Sequence, residues 1–272
     1  MSGHSPSAEP FGTYRVLARN IASDSDNKIH DDTVARQYGF AGGLVPGIAV
    51  FGYLTRPVVA RLGAQWLARG GASGRFMQPC YDGEEITVVA HNTNDHIELT
   101  VQRPDGVVCA RGSARTSSPS AEPDVANYPI APLPVMRPPA AASALAAGTV
   151  LGTLGLRLDA RKAIAFVDAV GDDLPLYRGA DGIAHPALLL ALANRVLARN
   201  VVLGPWIHTA SEVTHYSLAR YGQTISLRTR VAECFERKGH EFVVLDILVV
   251  ADPDHVVQHI RHTAIYKPRA VS

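Results

Sequence analysis

Two periodicities alternate along this chain of 272 residues. In one, apolar and polar side chains change places at every step. Ile225, Leu227, Thr229 and Val231 fall on one side, with Ser226, Arg228 and Arg230 on the other. Such a run predicts a strand with a single buried face. In the other, Ile48 to Leu62 and Ala187 to Val202 are apolar on nearly every face, as in Ala187-Leu188-Leu189-Leu190-Ala191-Leu192. A helix of that kind needs cover all round, which a curled sheet supplies. Each predicted helix follows a strand-like run and a polar loop. Each is succeeded by three or four alternating segments joined by tight turns such as Pro104-Asp105-Gly106.

The whole order occurs twice. Gly12-Thr13 recurs as Gly152-Thr153 and Pro46 as Pro186, both at an offset of 140 residues. Asp82-Gly83-Glu84-Glu85-Ile86 matches Tyr221-Gly222-Gln223-Thr224-Ile225, and Pro104-Asp105-Gly106-Val107-Val108 matches Pro253-Asp254-His255-Val256-Val257. The last match is ten residues further apart, which places a longer hairpin near Glu236 to Glu241. Four matches in one order predict a duplicated unit, and two such units joined edge to edge would close each other's exposed strands. The expected layout is a loose tail over 1–10, one unit over 11–116, a connector over 117–148 and a second unit over 149–272. The connector is marked by seven prolines between Pro119 and Pro139 and by the run Ala140 to Ala147. That composition predicts an extended path over the surface, finishing in a short helix.

Composition narrows the function classes. Apolar residues make up 47% and charged residues 19%, with a formal charge of +1, so no basic footprint for nucleic acid is present. No run is long and apolar enough to predict a membrane span, and Met1 to Pro10 lacks the basic start and apolar core of a secretion signal. Cys80, Cys109 and Cys234 are few, odd in number and set in strand-like sequence, which predicts buried thiols and a cytoplasmic protein.

The candidate chemistry sits in the first polar loop. Asn27-Lys28-Ile29-His30 presents a histidine, and Gly42-Gly43-Leu44-Val45-Pro46-Gly47 then opens the first apolar helix. A proton-transfer group beside exposed helix N–H groups suits reactions of carbonyl compounds, where charge develops on oxygen. Asp31-Asp32 are expected to cap the segment Thr33 to Tyr38. His255, His259 and His262 do not predict a metal site, because the last two point to opposite faces of one strand. Neither a nucleophile elbow nor a phosphate-cradling glycine loop is present.

In these residues the chain resembles the MaoC-like, or R-specific enoyl-CoA hydratase, branch of the hot-dog superfamily. That motif runs Gly-Asp-x-Asn-Pro-(Ile/Leu)-His, with a His-Gly pair at the start of the central helix. Asp24-Ser25-Asp26-Asn27-Lys28-Ile29-His30 and Pro46-Gly47 meet it at Asn27, Ile29, His30 and Gly47. Ser25 stands in place of the aspartate, Lys28 of the proline and Pro46 of the second histidine. The second half, Gly171-Asp172-Asp173-Leu174-Pro175-Leu176-Tyr177, keeps glycine, aspartate and proline but has Leu174 for asparagine and Tyr177 for histidine.

The resemblance implies an α+β double hot-dog: two antiparallel sheets, each wrapped around a long central helix, joined as a pseudo-dimer. It also implies a hydro-lyase that adds or removes water at the 2,3 position of an acyl-CoA or acyl-carrier-protein thioester. His30 would be the acid/base, Asn27 would fix the loop or the water, and Asp24 or Asp26 would supply the missing carboxylate. Gly47 would be the oxyanion donor, with Ser25, Val45 and Pro46 beside the substrate and Asp172 and Tyr177 supporting from the degenerate copy. One site is expected, roofed by the second half, with a tunnel widened for a bulky acyl group. No cofactor or metal is implied, and the chain would stand as a pseudo-dimeric monomer or a homodimer. His185 is expected to be structural, whereas Arg69 and Arg75 are candidates for coenzyme phosphates. The rivals are a hot-dog thioesterase, which the absence of an acidic residue from the first helix disfavours, an acyl-thioester binder without chemistry, and a dehydratase or isomerase of a biosynthetic pathway.

Overall fold

The duplication is written in the strand pairing. A computed structural model describes residues 9–117 and 121–269. The first unit comprises β1 (Glu9–Leu17), α1 (Asp32–Gln37), α2 (Gly47–Arg69), β2 (Gly71–Phe76), β3 (Glu85–Asn92), β4 (Ile97–Gln102) and β5 (Val108–Arg115). The second comprises β6 (Val150–Arg157), α3 (Ala160–Val170), α4 (Pro186–Asn200), β7 (Ile207–His215), β8 (Thr224–Arg237), β9 (His240–Ala251) and β10 (His255–Lys267). The first five strands are ordered β1-β3-β4-β5-β2 and the last five β6-β8-β9-β10-β7, the same sequence of neighbours. β2 and β7 then pair antiparallel, from Gly71 opposite Thr214 to Arg75 opposite Ala210, giving one ten-stranded sheet. Each unit thus closes the edge that its partner would leave open.

The alternation read in β8 holds, with Ile225, Leu227, Thr229 and Val231 buried and the residues between them turned outward. Inside the curl, α2 buries Ile48, Val50, Phe51, Tyr53 and Leu54 against Ile86, Val88, Leu99 and Val101 of β3 and β4. Each large side chain so buried stabilises the unit by roughly 1.5–3 kcal/mol before the entropy of ordering is charged against it.

Several expectations shift. The first helix does not stop at Leu62. Gly63 breaks it with φ 61°, a conformation costly for other residues, and the chain resumes helical turns to Arg69. α3, eleven residues long, lies where only a polar loop was expected, capped by Asp159 and closed by Gly171 in the left-handed conformation. Of the expected tail, residues 1–8 lie outside the described residues, while Glu9 and Pro10 belong to β1. Residues 118–120 of the connector also lie outside them. Elsewhere the connector carries one 3-10 turn, Val125–Asn127, and its alanine run forms turns instead of a helix. Tyr128 pins it to the outer sheet face by donating to Asp246, with His259 also in contact. Cys80 and Cys109 are buried and Cys234 only partly so, all three as free thiols.

Candidate active site

The Gly/Pro-rich loop positions His30. Asn27 caps a single 3-10 turn, Lys28–His30, whose middle residue Ile29 is buried as its anchor. The returning strand of the loop passes so close that a Cβ on Gly43 would lie 2.2 Å from the His30 carbonyl oxygen, so only glycine fits. Asp31 caps α1 by accepting from Thr33 and Val34, as expected, whereas Asp32 instead accepts from the Gly43 N–H. This crossing brings the Leu44 carbonyl 2.7 Å from His30 Nδ1. A carbonyl only accepts, so Nδ1 carries the hydrogen and Nε2 is left bare. Burial lowers the pKa of His30, against a smaller raising effect of the Leu44 carbonyl. The ring is therefore a neutral base at pH 7.

Pro46 precedes α2 without capping it, and the Gly47 N–H is the first of the four that a helix leaves without an internal partner. His30 and Gly47 line one cavity of about 250 Å³, together with Val45, Pro46 and, from the second unit, Trp206 and His208. An adjoining cavity of about 350 Å³ shares Asn27, His30, Pro46, Asn194 and Trp206, and opens towards Arg137 and Arg195. The site therefore lies between the units. Asn27 clamps them together: its Nδ2 donates to the Trp206 carbonyl at 2.9 Å and its Oδ1 accepts from the Trp206 N–H at 3.1 Å.

Asp24 and Asp26 are exposed, and the recorded partners of the His30 ring are the Leu44 carbonyl and the Asn27 amide, 3.4 Å from Nε2. Asp26 and Ser25 line the outer cavity. The inner cavity has no carboxylate among its described lining residues. Arg69 and Arg75 border separate clefts away from His30.

Asp172 and Tyr177 are gathered at the matching place in the second unit. Helix starts and preceding bridges, Leu44 with Tyr81 and Ile183 with Arg220, align the units at an offset of 139 residues. The pairing of Pro46 with Pro186 is thus corrected by one residue: His185 matches Pro46, and Pro186 matches Gly47. His185 Nε2 lies 3.2 Å from Asp172, and its Nδ1 accepts from the Ala187 N–H. Arg56 of α2 reaches across, its Nε 3.1 Å from Asp172 without hydrogen-bond alignment and its Nη2 2.6 Å from Asp173. Burial would raise the Asp172 carboxyl, but His185, the Leu174 N–H and Arg56 together hold it below its usual value.

Sequence reading missed Trp206, just before β7, His208 of β7 and Asn194 of α4, which reach the cavity from the second unit. Asn194 Oδ1 is buried there without a partner. No local motif marks them, because their relation to His30 exists only once β2 and β7 pair. On β10, His255 is exposed, His259 turns outward to Asp246, and His262 is buried on the inner face.

Neither a protein-family model nor a curated protein sequence matches the chain. Solved structures do. A conserved hypothetical protein of Mycobacterium tuberculosis, described as having a double hotdog fold, is similar over 95% of this chain and 96% of its own, at 16% identity and a TM-score of 0.65. A MaoC domain protein dehydratase of Chloroflexus aurantiacus is similar over 99% and 100%, at 13% identity and a TM-score of 0.64. The chain is a double hot-dog. A protein described as an oleoyl thioesterase, from Lactobacillus plantarum, is similar over 97% of this chain and 99% of its own, at 13% identity and a TM-score of 0.51. At these identities the likeness establishes the fold, and the chemistry has to be argued from the site.

Proposed function

We propose that the protein is an acyl-thioester hydratase or dehydratase, working at the 2,3 bond of an enoyl or 3-hydroxyacyl thioester. The observation that carries this reading is the pairing of a bare, neutral His30 Nε2 with the uncapped Gly47 N–H in one cavity. In the hydration direction, His30 Nε2 takes a proton from water while the oxygen bonds to C3. The π pair of the C2–C3 double bond moves to give an enolate, whose oxygen the Gly47 N–H stabilises. His30 then returns the proton to C2, so that H and OH have been added and no redox partner is needed. Asn27 holds the loop against the second unit.

Arg137 and Arg195 at the outer cavity suit an anionic carrier such as the phosphates of coenzyme A. With the outer cavity given to the carrier, the inner one of about 250 Å³ takes the acyl group, for which we expect a bulky chain; a preference for short straight chains in acyl-chain profiling argues against that part. A thioesterase would usually draw on a carboxylate or an asparagine beside the central helix; the inner cavity presents no carboxylate among its described lining, but Asn27 and Asn194 do line it. Incubation with crotonyl-CoA and longer enoyl-CoAs, following enoyl absorbance and free thiol together, separates the readings. Loss of absorbance without thiol release, abolished in His30→Ala, supports hydration. Thiol release identifies a thioesterase, and binding without either change identifies a binder.

A further inference from the structure

His208 reaches the same cavity from the opposite unit. β7 pairs with β10 in step from His215 to Ala210, then slips, so that Ala210 faces Thr263 but His208 faces Ala264 and Thr209 is the extra residue. Without this bulge, His208 and Ser211, three apart, would point to opposite faces of the sheet. With it, both are buried on the inner face. His208 Nε2 lies 3.2 Å from the Ala210 carbonyl and 2.8 Å from Ser211 Oγ. Since the carbonyl only accepts, Nε2 carries the hydrogen and Nδ1 is bare. Ser211 in turn donates its hydroxyl to His262 Nδ1 at 3.0 Å, and the two imidazoles stack 4.1 Å apart. The ring is thus held by two hydrogen bonds and a stack, so its orientation is fixed.

Its bare nitrogen points at the start of α2. A methyl group on Gly47 would come within 2.9 Å of it. Nδ1 is fully buried and has no hydrogen-bond partner among the described residues, an expensive condition that calls for a ligand. Phe76, edge-on to the ring at 4.8 Å between centroids, closes the remaining side. Burial and the neighbouring His262 keep the imidazole neutral, well below the ordinary histidine pKa.

We infer that His208 is the second water-holding group of this cavity. Its bare Nδ1 and the bare Nε2 of His30 grip the two hydrogens of one water, one imidazole from each unit, where the related motif would use a carboxylate. This rests on the hydration reading and deepens it. In the reaction above, His30 receives the proton that leaves. His208 keeps the other hydrogen of the water in a hydrogen bond and accepts from the new hydroxyl at the end. Phe76 closes Nδ1 off in this structure, so binding of the water requires the entering acyl chain to displace that ring. Ser211 and His262 are positioning residues that fix the tautomer of His208.

The test compares hydration of enoyl-CoA by the wild type, His30→Ala, His208→Gln, His208→Leu and Ser211→Ala, with thermal melting of each. His208→Leu is expected to lower kcat about 100-fold with KM nearly unchanged, and His208→Gln, which retains an acceptor, to lose less. Ser211→Ala is expected to lower kcat about 10-fold, again without moving KM. Folded His208 variants that keep the wild-type kcat overturn the inference and leave the hydration reading standing. A wild type that hydrates no enoyl thioester overturns both. Should the His208 variants fail to fold, nitrogen NMR of the wild-type imidazoles decides. Addition of butyryl-CoA, which is saturated and unreactive, is expected to shift both His30 and His208 resonances, and a shift of His30 alone overturns the inference.

Discussion

The two units begin from the same plan and end with opposite interiors. In the first, the loop histidine faces a cavity, the helix opens on Gly47 with an unspent N–H, and no carboxylate among the described residues touches the ring. In the second, Tyr177 fills the place of His30, and Pro186 opens the helix without any N–H to give. The carboxylate that the second unit kept, Asp172, is spent on His185 and on Arg56 reaching over from α2. The retained aspartate has thus become a buried ionic joint between units, while the site that lost it has stayed open. A motif residue is informative only together with what surrounds it.

The sharpest way to break this comparison is to remove the base. His30→Ala should lower kcat for hydration by about 1000-fold, with the melting temperature nearly unchanged. Tyr177→Phe should leave turnover within about twofold.

Acid should attack the stacked His208 and His262 rings behind the open site before it reaches the Asp172 joint. His208 and His262 are fully buried with pKa values depressed by that burial, His262 to about 3. Their folded values lie below the unfolded 6.5, so the unfolded chain binds protons first. Stability is then complete above pH 6.5 and falls below it by about 1.4 kcal/mol per pH unit for each ring. Asp172 runs in the same direction but at lower pH. Its folded value lies below the usual 3.8, so its contribution persists until the pH falls into the carboxylate range. Denaturant titrations between pH 7 and 4 check this: a stability that stays flat down to pH 4.5 contradicts it.

Arg56→Ala opens the second interior by leaving Asp172 with only His185 and the Leu174 N–H. The half-buried guanidinium makes a loss of about 2–3 kcal/mol reasonable, with kcat unaffected, measured by urea unfolding and by turnover. Asn27→Ala removes both hydrogen bonds to the Trp206 backbone and should cost about 1–2 kcal/mol, together with a rise in KM as the cavity walls loosen. Asp24→Ala and Asp26→Ala should do least, leaving turnover within about twofold, because both side chains are exposed and neither reaches the His30 ring.

The layout of strands and central helices was legible because period-two and all-round apolar patterns depend only on neighbours along the chain. The duplicated plan was legible because turns such as Pro104-Asp105-Gly106 and Gly222 need particular residues at fixed places. α3 was missed because Ala160–Val170 follows Asp159, a cap that reads equally as a polar loop residue. The alignment of Pro46 with Pro186 slipped by one because proline identity outweighed helix register, which hid the match of His185 to Pro46. His208 and Ser211 were illegible for a stronger reason. Strict alternation sends them to opposite faces, and only the bulge at Thr209 turns them together. Arg56 was hidden likewise, since its partners lie in the other unit.

The most direct test is the number of acyl thioesters that one chain binds, measured by calorimetric titration with saturated butyryl-CoA on the wild type and on His30→Ala. An open first site and a closed second one predict one equivalent per chain, with the enthalpy altered by the His30 change. Two equivalents per chain, or a single one that His30→Ala leaves untouched, would contradict the account.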